Sequence, residues 1–414
     1  PEAHALEGRA LKSLPDEQAW LAIGLSSIMW REAWKYGERA FRYCQLDVGH
    51  AIGALAYAAA LLGWDVRPVA SPALAHCLGL DRPDDFPPSR YAFTETEEPE
   101  LLLAVRASGL SEPPAADQLT AWLDGAAWQG KPTRIDPSPG YRWPAIDQVA
   151  AASRLLRSTA ENAQISPCFP VLPPLAPHST AAGAAQLIRQ RRSAQRFDPK
   201  QSLPKAAFYR MLDAALPRPQ VPFAAQESPP RIHLLLFVLR VDGLPGGLYL
   251  LPRTPAAAHE LAAVLAPRFP GQRPVADFDP ACPAHLGLIL LAGMGLQELQ
   301  RIARAVSCHQ DIASSSAFSL GMLGEFDAAT ADAHGYRELL REAGLVGQVL
   351  YLEAEAAGVR GTGIGCFFDD PVHQVFGLEG SRWQSVYHFT VGTPITDARI
   401  ETGPPYPQRQ QENS

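Results

Sequence analysis

The sequence predicts an α+β protein in which long helices pack on an antiparallel or mixed sheet. Three observations carry this expectation. Continuous apolar runs of strand length occur after residue 180, at 232–241 (IHLLLFVLRV) and 285–292. A Gly/Pro break at 243–247 separates the first run from 248–251, which is a hairpin signal. Two long Ala/Leu-rich helical segments resemble each other.

Size and composition agree. At 414 residues, the chain suits roughly two to three domains. Apolar residues make up 47% and charged residues 19%, enough to bury a sizeable core. Lys+Arg 36 against Asp+Glu 43 leaves a formal charge of −7, which excludes a broad electrostatic attraction to nucleic acid or an anionic membrane. Apolar stretches at 51–64 and 286–296 are shorter than the ~18 residues of a membrane span. Residues 1–11 do not have the pattern of a signal peptide. The six cysteines are scattered, with no CxxC, and read as reduced thiols, so a cytoplasmic location is expected.

Along the chain, residues 84–100 carry prolines and acids, and 130–144 hold four prolines. A helix is expected at 145–157. The run 166–177 is too proline-rich for helix or central strand and reads as an extended linker. Beyond it, helices are expected at 181–191 and 204–215, the second beginning at Pro204. Strands follow at 232–241, 248–251 and 285–292. Helices at 295–317 and 335–357 precede a last strand at 385–392.

The repeat aligns 47–63 (DVGHAIGALAYAAALLG) with 342–358 (EAGLVGQVLYLEAEAAG) without a gap. Gly49 meets Gly344, and Gly63 meets Gly358. Two generic Ala/Leu helices would also give partial matches, but the shared glycine pair favours a true duplication. Two copies would most simply face each other across a pseudo-twofold axis.

Three motifs carry candidate chemistry. In RRSAQRF, Arg191, Arg192, Ser193 and Arg196 suit a phosphate clamp, because guanidinium offers planar paired donors; a solvated helix end is the bland reading. In GTGIGCFFDD, Gly363, Ile364 and Gly365 offer a backbone with little side-chain cover, able to approach a flat ligand. Cys366 stands where a dinucleotide fingerprint needs glycine, so a Rossmann site is rejected; a helix cap and tight turn is the competing reading. The third motif is YHFTVGTP at 387–394, followed by Arg399. Cys308, His309, Asp369, Asp370 and His373 suggest a metal only weakly, and no metal is expected.

Taken in order, RRSAQRF, GQVLYLEAEAAGVRGTGIG and YHFTVGTP resemble the nitroreductase family of FMN-dependent flavoproteins. The segment WKYGERAFRY at 34–43, followed by DVGH, resembles its branch of SagB-type (azoline, or thiazole/oxazole-forming) dehydrogenases. The likeness spans 181–405 and about 25–80. It implies an α+β sandwich that works as an intertwined dimer, with FMN at the dimer interface. The repeat then implies a tandem pseudo-dimer within one chain, with an incomplete first copy that lacks its Arg-rich opening; truncation at the N-terminus is the expectation. The implied organisation is a partial, degenerate first copy at 1–125, a proline-rich linker with a short helix at 126–180, a second nitroreductase-like domain at 181–405, and a disordered tail at 406–414.

Residue by residue, the resemblance puts Arg191 and Ser193 on the FMN phosphate and ribityl chain, with Arg192 nearby and Arg399 as a further phosphate ligand. It puts the backbone of Gly363, Ile364 and Gly365 against the isoalloxazine. Gln195 departs from the family, which usually has Arg or Lys there, beside flavin N1/O2; a neutral amide stabilises the reduced anion less. Lys35 and Tyr36 match the pair that serves as the base in azoline dehydrogenases. A lysine acts so only when desolvated or beside other cations; a surface lysine with its stem on aromatic rings is the plainer reading.

The expected activity is hydride transfer at flavin N5. The reaction is either oxidation of azolines in a modified peptide or reduction of electron-poor organic substrates with NAD(P)H as donor. Partners are a small-molecule or peptide substrate, with no nucleic acid and no membrane; a homo-oligomer is the other assembly open to the chain. The alternative is a degenerate, non-catalytic flavin-fold module that binds a peptide or a partner enzyme.

Overall fold

The computed structural model describes residues 20–69, 71, 73–81, 95–107, 120–121, 141–154, 169–178, 180–226 and 228–403. The tail at 406–414 and parts of the 126–180 segment lie outside them. The chain divides into two compact units. Unit 1 takes its described residues from 1–167, 220–229 and 330–341; unit 2 takes its own from 168–219, 230–329 and 342–414.

In unit 1, strand β1 (Trp20–Ser27) leads to a short helix, Trp30–Tyr36, and then to a long one, Ala40–Ala60. Strands β2 (Trp64–Pro68) and β3 (Glu98–Ala107) follow, and β3 lies between the other two, antiparallel to both. The helix Pro144–Ala152 occupies part of the expected 145–157. Glu98 and Glu100 on β3 are buried, and unit 1 surrounds them with guanidinium groups. Arg337 donates to both, at 2.8 and 2.7 Å. Arg341 reaches Glu100 at 3.1 Å, and Gln45 donates to Glu100 at 2.8 Å. Burying carboxylates is costly unless they are paired and hydrogen-bonded; this network pairs both, with the contacts to Glu100 gathered on Oε2 while its buried Oε1 has no hydrogen-bond partner among the described residues.

In unit 2, a seven-stranded sheet runs β6-β7-β5-β4-β8-β10-β9, with every pairing antiparallel. Its strands are β4 (Ile232–Val238), β5 (Gly247–Leu251), β6 (Arg273–Pro274), β7 (Ile289–Gly293), β8 (Phe318–Glu325), β9 (Arg360–Ile364) and β10 (Trp383–Gly392). The apolar run at 232 forms the fully buried β4, paired with β5 across the expected hairpin. A core on one side of the sheet joins Leu235, Phe237, Leu250, Leu261, Leu299 and Phe376.

Several expectations are corrected. The single helix expected at 295–317 is two, Leu296–Val306 and Asp311–Ser315. Between them Cys308 and His309 take left-handed φ of 52° and 58°. Such residues stop a helix, yet no Gly or Pro marks the spot. Pro204 caps the helix Lys205–Ala214 from outside instead of opening it. The expected strand at 285 starts only at Ile289, after a single turn at Ala284–Leu286. The glycine-rich run, read as uncovered backbone or as a helix cap and tight turn, forms strand β9 as far as Ile364. The cysteines are not all thiols: Cys308 and Cys366 form a disulfide across 58 residues.

The likeness between the two segments goes further than the helices. Unit 1 runs strand, short helix, long helix, strand, returning strand. The same order recurs as β8, the helix Phe326–Thr330, the helix Gly335–Ala356, β9 and β10. Sheet order repeats too, β1-β3-β2 and β8-β10-β9. Gly63 and Gly358 follow the two long helices with φ of 69° and 75°, where a residue without Cβ turns the chain into the next strand.

Candidate functional site

The helix Ala184–Gln190 ends at Arg191, whose backbone is extended. Arg192 folds back on that helix end. Its Nη1 donates to the carbonyls of Arg189 (3.0 Å) and Arg191 (2.8 Å), and its Nη2 to Gly403 (3.4 Å). This is the capping role that basic residues play at helix C-termini. The chain then runs along the sheet edge. Ala194 donates to the Gly361 carbonyl (3.3 Å), and the Thr362 hydroxyl donates to the Ala194 carbonyl (2.8 Å). Phe197 pairs with Pro394, and Asp198 N–H reaches Thr393 (2.8 Å).

Tyr351, on the long helix Gly335–Ala356, gathers the motifs. The Arg191 guanidinium stacks 4.6 Å from its ring centroid. The Tyr351 and Ser193 hydroxyls share a hydrogen bond at 3.0 Å. The same tyrosine oxygen accepts the Gly363 N–H at 2.9 Å. RRSAQRF and GTGIG thus meet at a side chain that neither motif contains. The ring also meets Phe389 edge-on at 4.8 Å. In the aligned segments, Tyr351 stands opposite Ala56; an aromatic with a polar tip in place of alanine was the available signal.

The glycines of β9 are corrected from open backbone to packed strand. A Cβ on Gly363 would lie 1.9 Å from the Tyr387 hydroxyl, and one on Gly361 would lie 2.6 Å from the Phe389 ring. Glycine is required there because aromatic side chains of β10 lie over the strand. Ile364 is buried and pairs with His388; Gly365 follows the strand.

The remaining expected residues stand apart. Gln195 is exposed. Arg399, expected on a phosphate, is 84% exposed and grips Asp397 through Nε (2.9 Å) and Nη2 (2.6 Å). That bond holds the Asp397 carboxyl below its ordinary range. Neither contact brings Arg399 to Arg191 or Ser193. Lys35 and Tyr36 lie in unit 1 at the end of Trp30–Tyr36, both exposed, with the ammonium 5.0 Å from the Tyr36 ring centroid. Trp34, expected to bury the lysine, is itself 68% exposed. Among the described residues, no group of three or more His, Cys, Asp or Glu is arranged for a metal, and no helix is long and apolar enough to cross a membrane.

As a test of FMN fit, the two ends of the cofactor give different answers. Arg191 and Arg192 have no carboxylate partner among the described residues, and Ser193 offers a hydroxyl beside them. That donor set suits the phosphate and ribityl end. At the ring end, the Gly363 N–H is already committed to Tyr351, and the Cβ side of the glycine is filled.

Comparison with known proteins agrees with the fold. Residues 291–393 match the model of the nitroreductase family. Among solved structures, a protein of Anabaena variabilis described provisionally as a nitroreductase superposes with a TM-score of 0.54 at 16% identity, covering 90% of this chain and 69% of its own. A second provisional nitroreductase, from Ralstonia eutropha, gives 0.36 at 16% identity, covering 54% and 89%. The E. coli microcin synthetase McbBCD complex with truncated pro-MccB17 gives 0.37 at 17%, covering 57% and 81%. The last two scores are too low to extend the likeness. The search of curated proteins finds no match. The fold is nitroreductase-like.

Proposed function

We propose that the chain is an FMN-dependent oxidoreductase of the nitroreductase type. The observation that carries this reading is the convergence of Arg191, Ser193 and Gly363 on Tyr351, inside a fold whose 291–393 segment matches that family. Arg191 and Ser193 hold the phosphate and ribityl chain, and Tyr351 fixes both by stacking under one and bonding to the other. Arg192 keeps the helix end shaped so that Arg191 projects from it. Gln195 supplies an amide donor without charge. When bound, the cofactor supplies hydride exchange. Lys35 and Tyr36 are the proposed proton acceptors if the substrate is an azoline in a modified peptide. An electron-poor organic compound reduced at the expense of NAD(P)H is the other substrate class, and a cytoplasmic location suits both.

A second reading has its own observation. The Gly363 N–H and the glycine surface of β9 are occupied by Tyr351, Tyr387 and Phe389, as expected of a non-catalytic module that binds a peptide or partner enzyme. Titration with FMN, followed by absorbance and fluorescence quenching, separates them. The enzyme reading expects near-stoichiometric binding, weakened at least tenfold by Arg191→Ala, the loss expected for one charge-assisted contact of about 1.4 kcal/mol or more. A protein that stays colourless in excess FMN overturns the enzyme reading and favours the module.

A further inference from the structure

The Cys308–Cys366 bridge lies outside everything used above. It joins the corner between the helices Leu296–Val306 and Asp311–Ser315 to the residue two positions beyond β9. Cys366 is exposed and Cys308 partly so. The two strands of the clasp also hold each other without sulfur. Gln310 Nε2 donates to the Cys366 carbonyl at 3.1 Å, and Phe368 N–H donates to the Val306 carbonyl at 2.9 Å. The His309 and Phe368 rings meet at 5.7 Å between centroids. The backbone at Cys308 and His309 is left-handed although neither is glycine, so the corner is held in a shape these residues seldom adopt alone.

We propose that Cys308–Cys366 is a reversible thiol–disulfide exchange site for low-molecular-weight thiols and dithiols. Cys366, the more exposed residue of the pair, is the point of attack. An incoming thiolate forms a bond to Cys366 Sγ, the Sγ–Sγ bond breaks, and Cys308 leaves as a thiolate that takes up a proton. A second thiolate then attacks the incoming sulfur of the mixed disulfide. It releases the oxidised small-molecule disulfide and leaves Cys366 as a thiol. Two electrons pass from the two thiols to the protein bridge, so the sum balances. The flanking hydrogen bonds keep the two cysteines adjacent in the dithiol, so the bridge re-forms on oxidation. Opening it loosens the chain just beyond Gly363 and Gly365. Among the other described thiols, burial pushes Cys44 up to about 12 and Cys282 up to about 11, keeping both protonated and unreactive, while Cys77 is half-buried.

The test uses the full chain, air-oxidised and then equilibrated with glutathione or dithiothreitol without denaturant. Alkylation is mapped to each cysteine by mass spectrometry, and circular dichroism and amide exchange are followed in parallel. The proposal expects Cys308 and Cys366 to be blocked to alkylation when oxidised and both labelled after thiol treatment. Far-UV dichroism should be unchanged, and exchange should be faster over 361–368 but not over β4. In Cys308→Ser, oxidised glutathione should add to Cys366 several-fold faster than it adds to Cys308 in Cys366→Ser. It is overturned if the oxidised protein lacks the bridge, if the bridge opens only in denaturant, or if opening unfolds unit 2. Cofactor content plays no part in these readouts, so failure of the flavin reading leaves the test intact.

Discussion

Tyr351 shows how one side chain can decide whether two motifs become a site. Its hydroxyl accepts the Gly363 N–H and bonds Ser193, while its ring faces Arg191. Tyr351→Phe keeps the ring and removes the oxygen, leaving a strand-edge N–H without its partner. We expect a loss of about 1–3 kcal/mol in denaturant unfolding and weaker flavin binding if Ser193 then drifts; unchanged stability would mean water replaces the hydroxyl at no cost. Gly363→Ala tests the other side of the same strand. The new methyl would overlap the Tyr387 hydroxyl at 1.9 Å, so a penalty of about 1–3 kcal/mol is expected from overpacking. In a Tyr387→Ala background the same substitution should cost much less; an equal cost in both backgrounds would show that backbone conformation, not the tyrosine, demands the glycine. Little of this was legible in the sequence. RRSAQRF and the glycine run stood out as patterns, but patterns do not say that Arg192 caps its own helix, that Arg399 closes on Asp397, or that aromatic rings two residues apart on β10 fill the glycine surface.

At the scale of elements, the likeness of the two long helical segments was the most legible feature. Its signal was a helix of fixed length with glycine at one internal and one terminal position. Both physical reasons for those glycines are now visible. The terminal pair takes positive φ after the helix. The internal one, Gly49, packs against backbone: a Cβ there would sit 2.0 Å from the Arg341 carbonyl oxygen, within unit 1. Backbone cannot swing aside as a side chain does. Gly49→Ala is therefore expected to destabilise unit 1 by about 2 kcal/mol or more despite alanine's better helix propensity, seen as a drop in the midpoint of chemical unfolding monitored by amide exchange in β3. A gain in stability would show that the helix shifts freely. Strand β3 escaped notice for a different reason. Glu98 and Glu100 interrupt the apolar pattern of β3, and their burial makes sense only once Arg337 and Arg341 arrive from more than 230 residues away. The break at Cys308 escaped because it relies on left-handed non-glycine residues and a distant cysteine.

For the whole molecule, the two units should respond to acid in separate windows. In unit 2, His233 is fully buried; its Nδ1 accepts the Arg253 N–H and its Nε2 meets Glu325 at 3.1 Å. Burial lowers its pKa below the ordinary 6.5, an effect that the Glu325 contact only partly offsets. A base held neutral in the fold is protonated more readily in the unfolded chain, so this unit loses stability as pH falls below about 6.5. In unit 1 the acid Glu338 also loses its stabilising effect on acidification, but at lower pH. Burial alone would raise it, but the hydrogen bond from His334 and the charge of Arg341 outweigh that and hold it at about 2. Its contribution is full above the ordinary carboxylate value near 4.5 and is lost as pH falls from there towards 2. A shift of that size corresponds to on the order of 3 kcal/mol. Glu98, lowered from its ordinary value because Arg154 and Arg337 outweigh its burial, acts in the same direction. Amide exchange from pH 7.5 to 2.5, corrected for intrinsic rates, should show β4 losing protection first and β3 only below about pH 4.5. Glu338→Gln should lower the stability of unit 1 near neutrality and flatten its acid window while leaving the unit 2 window in place. A single transition common to β3 and β4, unmoved by that substitution, would mean that the buried network of unit 1 is not what acid breaks.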